Sequence, residues 1–154
     1  PSVNTIADGT AVKTPGSKIF PYIKNNELWL GTTNPNEYFL PNGEITKSVT
    51  GLCRWFTNLE HKKRNEELIL YKTYNPTEYP KYENYDAIEV SKVAEIPMDY
   101  EGVMGVPISF LDKYCPNQFG IVGLDRYVED NPRYGHRFTI NGKETYARIL
   151  IQRI

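Results

Sequence analysis

At 154 residues, 40% of them hydrophobic, the chain has apolar side chains for one core of ordinary size. It holds no apolar run near the ~20 residues that cross a bilayer and no visible signal peptide, and its mean hydropathy of −0.54 reads as water-soluble and globular. A net charge of −1 excludes a general polycationic coat for nucleic acid, since non-specific affinity is phosphate neutralisation, but it permits a local basic patch.

Residues 1–16 are polar, punctuated by Gly9, Pro15 and Gly16, and read as an irregular lead-in. A chain that opens on Pro1 and closes in a strand-like run reads as a piece of a longer protein, or one processed at its start. Ser17 to Asn25 predicts a short helix capped by Ser17, with Ile19, Tyr22 and Ile23 on one face and Pro21 in the first turn. Glu27 to Gly31 reads as a buried strand. Tyr38–Pro41 and Glu44–Lys47 flank Asn42-Gly43, a hairpin signal because both turn residues tolerate positive φ. Cys53–Thr57 predicts a strand. Thr57 and Glu60 have capping-box spacing before a helical turn through His61–Arg64.

Leu68–Tyr71 should be extended, and residues 74–84, with Pro76 and Pro80, should form an ordered loop. Ala87–Val90 alternates like an edge strand. Pro107 opens a helix with Ile108, Leu111 and Tyr114 inward, stopped by Pro116. Phe119–Leu124 is a second buried strand. A hairpin closes the chain, with Arg137–Ile140 and Tyr146–Gln152 joined at Asn141-Gly142. The sum is an α+β fold, a mixed, strand-rich sheet with few short helices.

The densest stretch runs from Arg54 to Tyr85. Arg54, Trp55, Phe56 and Asn58 precede His61, Lys62, Lys63 and Arg64, and five tyrosines follow (Tyr71, Tyr74, Tyr79, Tyr82, Tyr85). Cations, amides and flat rings are the groups that hold phosphates, read base edges and stack on bases. Arg54 is a candidate for a guanine edge or a phosphate; Lys62, Lys63, Arg64 and Lys81 are phosphate candidates. Asn58 and Asn84 are candidates for reading adenine. Trp55, Tyr82 and Tyr85 are candidates for stacking or for filling the gap left by an extruded base. A core role competes for Trp55 and Phe56, because alternate strand positions point inward, and tyrosines beside prolines can simply pin a loop.

Catalytic groups are sparse. His61 and His136 have no partners at ligand spacing and read as surface residues. Cys53 and Cys115 carry neither a metal spacing nor a disulfide framework and read as semi-buried thiols of a reducing compartment. Gly102/Gly105 and Gly120/Gly123 lack the strand, three-glycine turn and helix of a cofactor loop, so they read as packing and turn glycines. Asn131-Pro132-Arg133-Tyr134 falls one proline short of the Asn-Pro-Pro-aromatic tetrapeptide of amino-methyltransferases, and a turn is the better account. No catalytic, cofactor-binding or metal residue is assigned.

Longer blocks carry a resemblance. Gly51–Leu59 (Gly-Leu-Cys-Arg-Trp-Phe-Thr-Asn-Leu), Tyr79–Val90 and Asp99–Tyr114 resemble segments of the EcoRI-type adenine-specific DNA methyltransferases, and Gln118–Gly123 and Tyr146–Ile151 keep the family's order. The resemblance runs from about Ile19 to the end. It implies that the whole protein transfers a methyl group from S-adenosylmethionine to N6 of adenine in double-stranded DNA, taking the base out of the stack. The family's cofactor loop and catalytic tetrapeptide lie upstream of the matched region, and this chain contains neither.

It therefore resembles a single C-terminal domain, residues 1–154, that binds no cofactor alone. Residues 17–32 and 118–154 would be sheet elements of the methyltransferase core, and 33–117 the target-recognition region. The implied partners are double-stranded DNA and the upstream core of the same polypeptide, with no membrane, in a prokaryotic cytoplasm. A stand-alone nucleic-acid-binding or protein-interaction module is the competing reading. A complete small enzyme is disfavoured by the missing loop and tetrapeptide.

Overall fold

The lead-in contains a strand. In the computed structural model of the chain, which describes residues 2–6, 19–33, 37–47 and 53–154, Ser2–Ile6 forms β1. It pairs antiparallel with β5 (Cys53–Thr57), from Ser2↔Thr57 to Ile6↔Cys53. Three of its five residues are β-branched, which suits a pleated strand, but its partner lies some fifty residues away and leaves no local mark.

Two compact units divide the chain, Pro1–Lys63 and Arg64–Ile154. In the first, β2 (Trp29–Leu30) pairs antiparallel with the other side of β5, so the order is β1-β5-β2. The two outer strands are therefore parallel to each other. In chain order α1, Phe20–Lys24, falls between β1 and β2, with Pro21 in its first turn and only Ile23 buried. Tyr22 is exposed, and the expected cap Ser17 falls outside the described residues. The helix ends in a Schellman motif. Asn26 takes φ 59°, its amide donates to the Ile23 carbonyl and the Glu27 amide donates to Tyr22, which satisfies carbonyls the helix cannot. The strand expected at Glu27–Gly31 is shorter and half-buried.

The first hairpin is present as β3 (Glu37–Phe39) and β4 (Ile45–Lys47), with a turn that differs from the expected one. The Gly43 amide donates to Leu40 and the Leu40 amide to Glu44. Of the two turn residues, Gly43 has positive φ (85°) and Asn42 does not. Pro41 presets the turn and Gly43 supplies the left-handed position of the bulge that follows it. Beyond β5, the Thr57 hydroxyl accepts from the Leu59 amide, and the turn of 3-10 helix starts later, at Lys62–Asn65.

The second unit is built on a four-stranded sheet, β6 (Ile88–Glu89), β7 (Met104–Pro107), β11 (Arg148–Arg153) and β8 (Phe119–Leu124) in that order. β6 runs parallel to β7 at the sheet edge, and β11 is antiparallel to both β7 and β8. Met104–Pro107 is a central strand, and Pro107 opens the expected helix after it, a 3-10 helix, Ile108–Lys113, that buries Phe110 and Leu111. Ile108 and Tyr114 are only half-buried. Leu68–Tyr71 carries no strand; the adjoining Lys72 makes one bridge to Pro97. The last hairpin joins β9 (Thr139–Ile140) to β10 (Lys143–Glu144) through Asn141 and Gly142, both at positive φ (50° and 71°). Arg148–Arg153 belongs instead to the sheet. Among the described residues no helix is long and apolar enough to cross a membrane.

Both faces of the sheet are covered. On one, Tyr82, Ala87, Val128 and Phe138 cluster with Leu150. The same face holds a buried ionic clip: the Arg148 Nε donates to both Glu89 oxygens at 2.9 and 3.1 Å, its Nη2 also donates to Glu89, and the Tyr82 hydroxyl donates to Glu89. Gly105 lies between Glu89 and Leu150 in the register, and a Cβ there would collide with the Tyr82 ring. Burial, and then the Glu89 carboxylate, push the Tyr82 phenol well above its ordinary pKa.

Removing one member of a buried ion pair leaves an uncompensated charge, so Glu89→Ala should cost about 3–5 kcal/mol in urea unfolding. Folding also holds a proton on Tyr82 that the unfolded chain releases. Stability should therefore fall as pH rises above about 10, and Tyr82→Phe should flatten part of that fall.

Candidate nucleic-acid interface

Five of the ten proposed DNA-contacting residues lie in the first unit. Arg54 is in β5, paired in register with Thr5; the placement of its side chain lies outside the described residues. Trp55 is half-buried and, with Gly31, Thr32, Thr33, Thr57, Leu59, Glu60 and His61, walls a hollow of about 430 Å³. Gly31 lets the backbone approach closely, since a Cβ there would sit 3.3 Å from the Trp55 Cβ. Asn58, Lys62 and Lys63 are exposed on the connection that follows.

That connection is tied down to the outer edge of the sheet. The Trp29 indole donates to the Leu59 carbonyl at 3.0 Å, and a His61 ring nitrogen, Nε2, lies 3.0 Å from the Leu30 carbonyl. The carbonyl can only accept, so Nε2 carries the proton. His61 is therefore a half-buried clamp on an edge strand, not a surface residue. Its Nδ1 is buried without a hydrogen-bond partner among the described residues.

The other five residues lie in the second unit, and the structure separates them by role. Arg64 is buried beside Tyr114. Tyr82 is interior, as the clip requires, so its ring is not available for stacking on a base. Asn84 is half-buried, and its amide donates to the Arg137 carbonyl at 3.1 Å and accepts from the Thr139 amide at 2.9 Å. Both ends of the group that would read adenine are occupied by backbone. The Tyr85 ring stacks on Phe138, with centroids 4.6 Å apart and planes 11° apart, and its hydroxyl donates to Asp130. Lys81 is exposed, and its ammonium lies 3.1 Å from Asp86, which raises its pKa.

Lys81, Tyr82, Asn84 and Tyr85 do meet, around a hollow of about 690 Å³ that also includes Glu83, Asp86, Val103, Asp130 and Pro132. Three carboxylates face one ammonium there. Phosphate would be repelled, while amino groups on base edges suit carboxylate acceptors. Of the remaining tyrosines, Tyr79 is buried and donates to the Glu95 carbonyl, Tyr71 is exposed, and Tyr74 lies against Tyr100 at 4.7 Å. Tyr100, Asp130 and Phe138 are neighbours that local sequence reading missed, because they lie far along the chain from the segments they meet.

The near-miss motifs resolve as packing. Asn131 is buried; its amide donates to the Asp125 and His136 carbonyls and accepts from the Arg133 amide, which closes a turn. Gly102 and Gly123 admit Tyr100 and Val128, as Gly105 admits Tyr82. Side chains fill the space beside these three glycines, whereas an added Cβ at Gly120 would meet nothing within 4 Å. Cys115 is fully buried; the Cys53 side chain lies outside the described residues.

The profile of the adenine-specific methyltransferase EcoRI family matches residues 8–154. The chain belongs to this family. Among curated relatives, the type II methyltransferase M.EcoRI of Escherichia coli is 39% identical over 153 residues, covering 88% of this chain and 45% of that protein. M.MgeORF184P of Mycoplasma genitalium is 35% identical and M.MpnI of Mycoplasma pneumoniae 32%, each over 88% of this chain and 52% of its own length. The chain thus spans about half the length of these EcoRI-family relatives. No solved structure matches it.

The placement of Asn84 in this family member has a testable consequence. Asn84→Ala should lower stability by about 1 kcal/mol by unpairing two half-buried backbone groups. Any effect on DNA binding should be uniform across sequences in a fluorescence-anisotropy panel.

Proposed function

We propose that this chain is the C-terminal, DNA-engaging portion of an S-adenosylmethionine-dependent DNA adenine-N6 methyltransferase of the restriction-modification type, working in a prokaryotic cytoplasm. The observation that carries the reading is the family match across residues 8–154, together with relatives named as type II methyltransferases and matched over about half their length. Methyl donor chemistry belongs, on this reading, to an upstream core of the same polypeptide. S-adenosylmethionine would supply the methyl group there, and the residues of this chain grip and discriminate the double helix.

The β1-β5-β2 sheet supports the division. Its two parallel outer strands flank an antiparallel centre, and the outer side of β1 has no strand partner among the described residues. That edge suits continuation by a neighbouring strand, because an unpaired row of backbone donors and acceptors is costly to leave bare. Lys62 and Lys63 are the accessible cations suited to phosphate. Arg54 remains the candidate for a guanine edge or a phosphate, Asn58 for a base edge and Trp55 for stacking.

Two experiments test the proposal. In salt-dependent binding to duplex DNA, Lys62→Ala with Lys63→Ala should weaken every sequence alike and reduce the log–log salt slope by about 2. An effect confined to one sequence would remove their phosphate role. The purified chain should transfer no methyl group to adenine-containing duplex, and measurable turnover would place the chemistry within it.

A further inference from the structure

Residues 125–137 connect β8 to β9 and fold back on themselves into a closed loop. Asp125 and Arg137, at its two ends, form an ion pair at 3.2 Å. Further in, the Gly135 amide donates to the Arg126 carbonyl at 2.7 Å. The Tyr127 and Tyr134 rings meet edge to face with centroids 5.7 Å apart. The buried Asn131 side chain ties the Asp125 and His136 carbonyls and the Arg133 amide together from inside. A surface loop of this length, with closed ends and its own packed interior, is an Ω-loop, a form that is frequently functional.

The loop sorts its charges. Its three arginines and three acids balance in the sequence, but they do not pair off. Asp125 is buried and takes Arg137, and Asp130 accepts the Tyr85 hydroxyl. Glu129 is exposed. Arg126 and Arg133 have no carboxylate within ion-pair distance among the described residues. Arg133 is exposed, next in the chain to Tyr134, which is 64% exposed. Arg126 is half-buried, and its Nε is shut off from solvent without a hydrogen-bond partner among the described residues. A guanidinium drawn partly out of water with an unmatched donor gains more from an anion than a fully hydrated one does.

The surroundings select the anion. The planar fork of arginine matches phosphate oxygens, and a brace that holds it in place beforehand lowers the ordering cost of binding. On its other side the same loop supplies Asp130 and Pro132 to the hollow that also holds Glu83 and Asp86. An acidic protein surface laid across both would be repelled at those carboxylates. Duplex DNA suits both, with phosphates for the arginines and base-edge amino groups for the carboxylates.

We infer that the loop of residues 125–137 is a phosphate clamp for double-stranded DNA, with Arg133 and Arg126 as its cations. The inference rests on the proposed DNA-engaging function and adds to it a contact in the second unit, outside the segment from Arg54 to Tyr85.

The test is binding of the chain to duplex DNA, followed by fluorescence anisotropy across a salt series. Arg133→Ala should weaken binding to every sequence alike and lower the log–log salt slope by about 1. Arg126→Ala combined with Arg133→Ala should lower it by about 2. Arg133→Lys keeps the charge and should keep the slope. Arg153 is an exposed cation of the same unit, paired in register with Phe119 at the opposite end of β8 from the loop. Arg153→Ala should therefore leave the slope as it was. Arg133 is exposed, so circular dichroism of Arg133→Ala should match wild type.

A slope unchanged in Arg133→Ala, or lowered equally by Arg153→Ala, would overturn the clamp and leave the proposed function standing. So would a loss confined to one sequence, which would make Arg133 a base reader. No binding to any duplex would defeat the proposed function itself. Sedimentation reads the protein alternative: self-association lost in Arg133→Ala, with the salt slope intact, would make the loop a protein contact and also overturn the clamp.

Discussion

The Glu89–Arg148–Tyr82 clip is the constraint on which the second unit depends. It joins the parallel edge strand β6 to the central strand β11 and draws the tyrosine-rich loop down onto the sheet. A buried charge pair contributes little net stability, since desolvation offsets much of the attraction. Its consequence is geometric. The fork of Arg148 accepts one arrangement of Glu89, the carboxylate then takes the Tyr82 hydroxyl, and Gly105 leaves the space for that ring. With Tyr82 fixed, the residues on either side of it can line only the rim of the adjoining hollow.

A second pairing works the same way nearby. Arg137 donates to Asp125 at 3.2 Å, and Asp125 is buried deeply enough that its carboxyl pKa is raised despite that partner. Arg137 also offers its carbonyl to Asn84, and Thr139 its amide. The tyrosine-rich loop and the β9–β10 hairpin are thus held by side chains acting as backbone partners. The polar groups in this region are largely committed to architecture, and the rim left to solvent is acidic. Of the phosphate candidates, Lys62 and Lys63 are exposed on the turn after β5, while Lys81 is exposed beside Asp86.

How far the residues could be read before the fold was known differs by kind of signal. Asn-Gly turns, the strands at Cys53–Thr57 and Phe119–Leu124, and the 3-10 turn after Glu60 were legible because short-range backbone preference or a local apolar pattern decides them. Strand β7 was not, since Gly105 and Pro107 lower its apparent strand propensity while the pairing on both sides overrides it. β11 was assigned to the wrong partner for a related reason. A tight turn at Asn141-Gly142 makes a hairpin certain to form but does not say how far its second strand extends.

The candidate site shows the same limit. Residue chemistry in the 54–85 segment suggested contact with nucleic acid, and long matched blocks identified the family, because both are written in residue type and order. Which tyrosine faces solvent is not written there. Tyr79, Tyr82 and Tyr85 stand three residues apart in near-identical company, yet partners from Glu95 to Arg148, brought up by strand pairing, bury two of them and pin the third. The sequence by itself determined the family, the fold class and the local turns. Only the tertiary structure decided which polar side chains are consumed by the fold and which apolar ones are left facing outward, because burial depends on contacts between residues far apart in the chain.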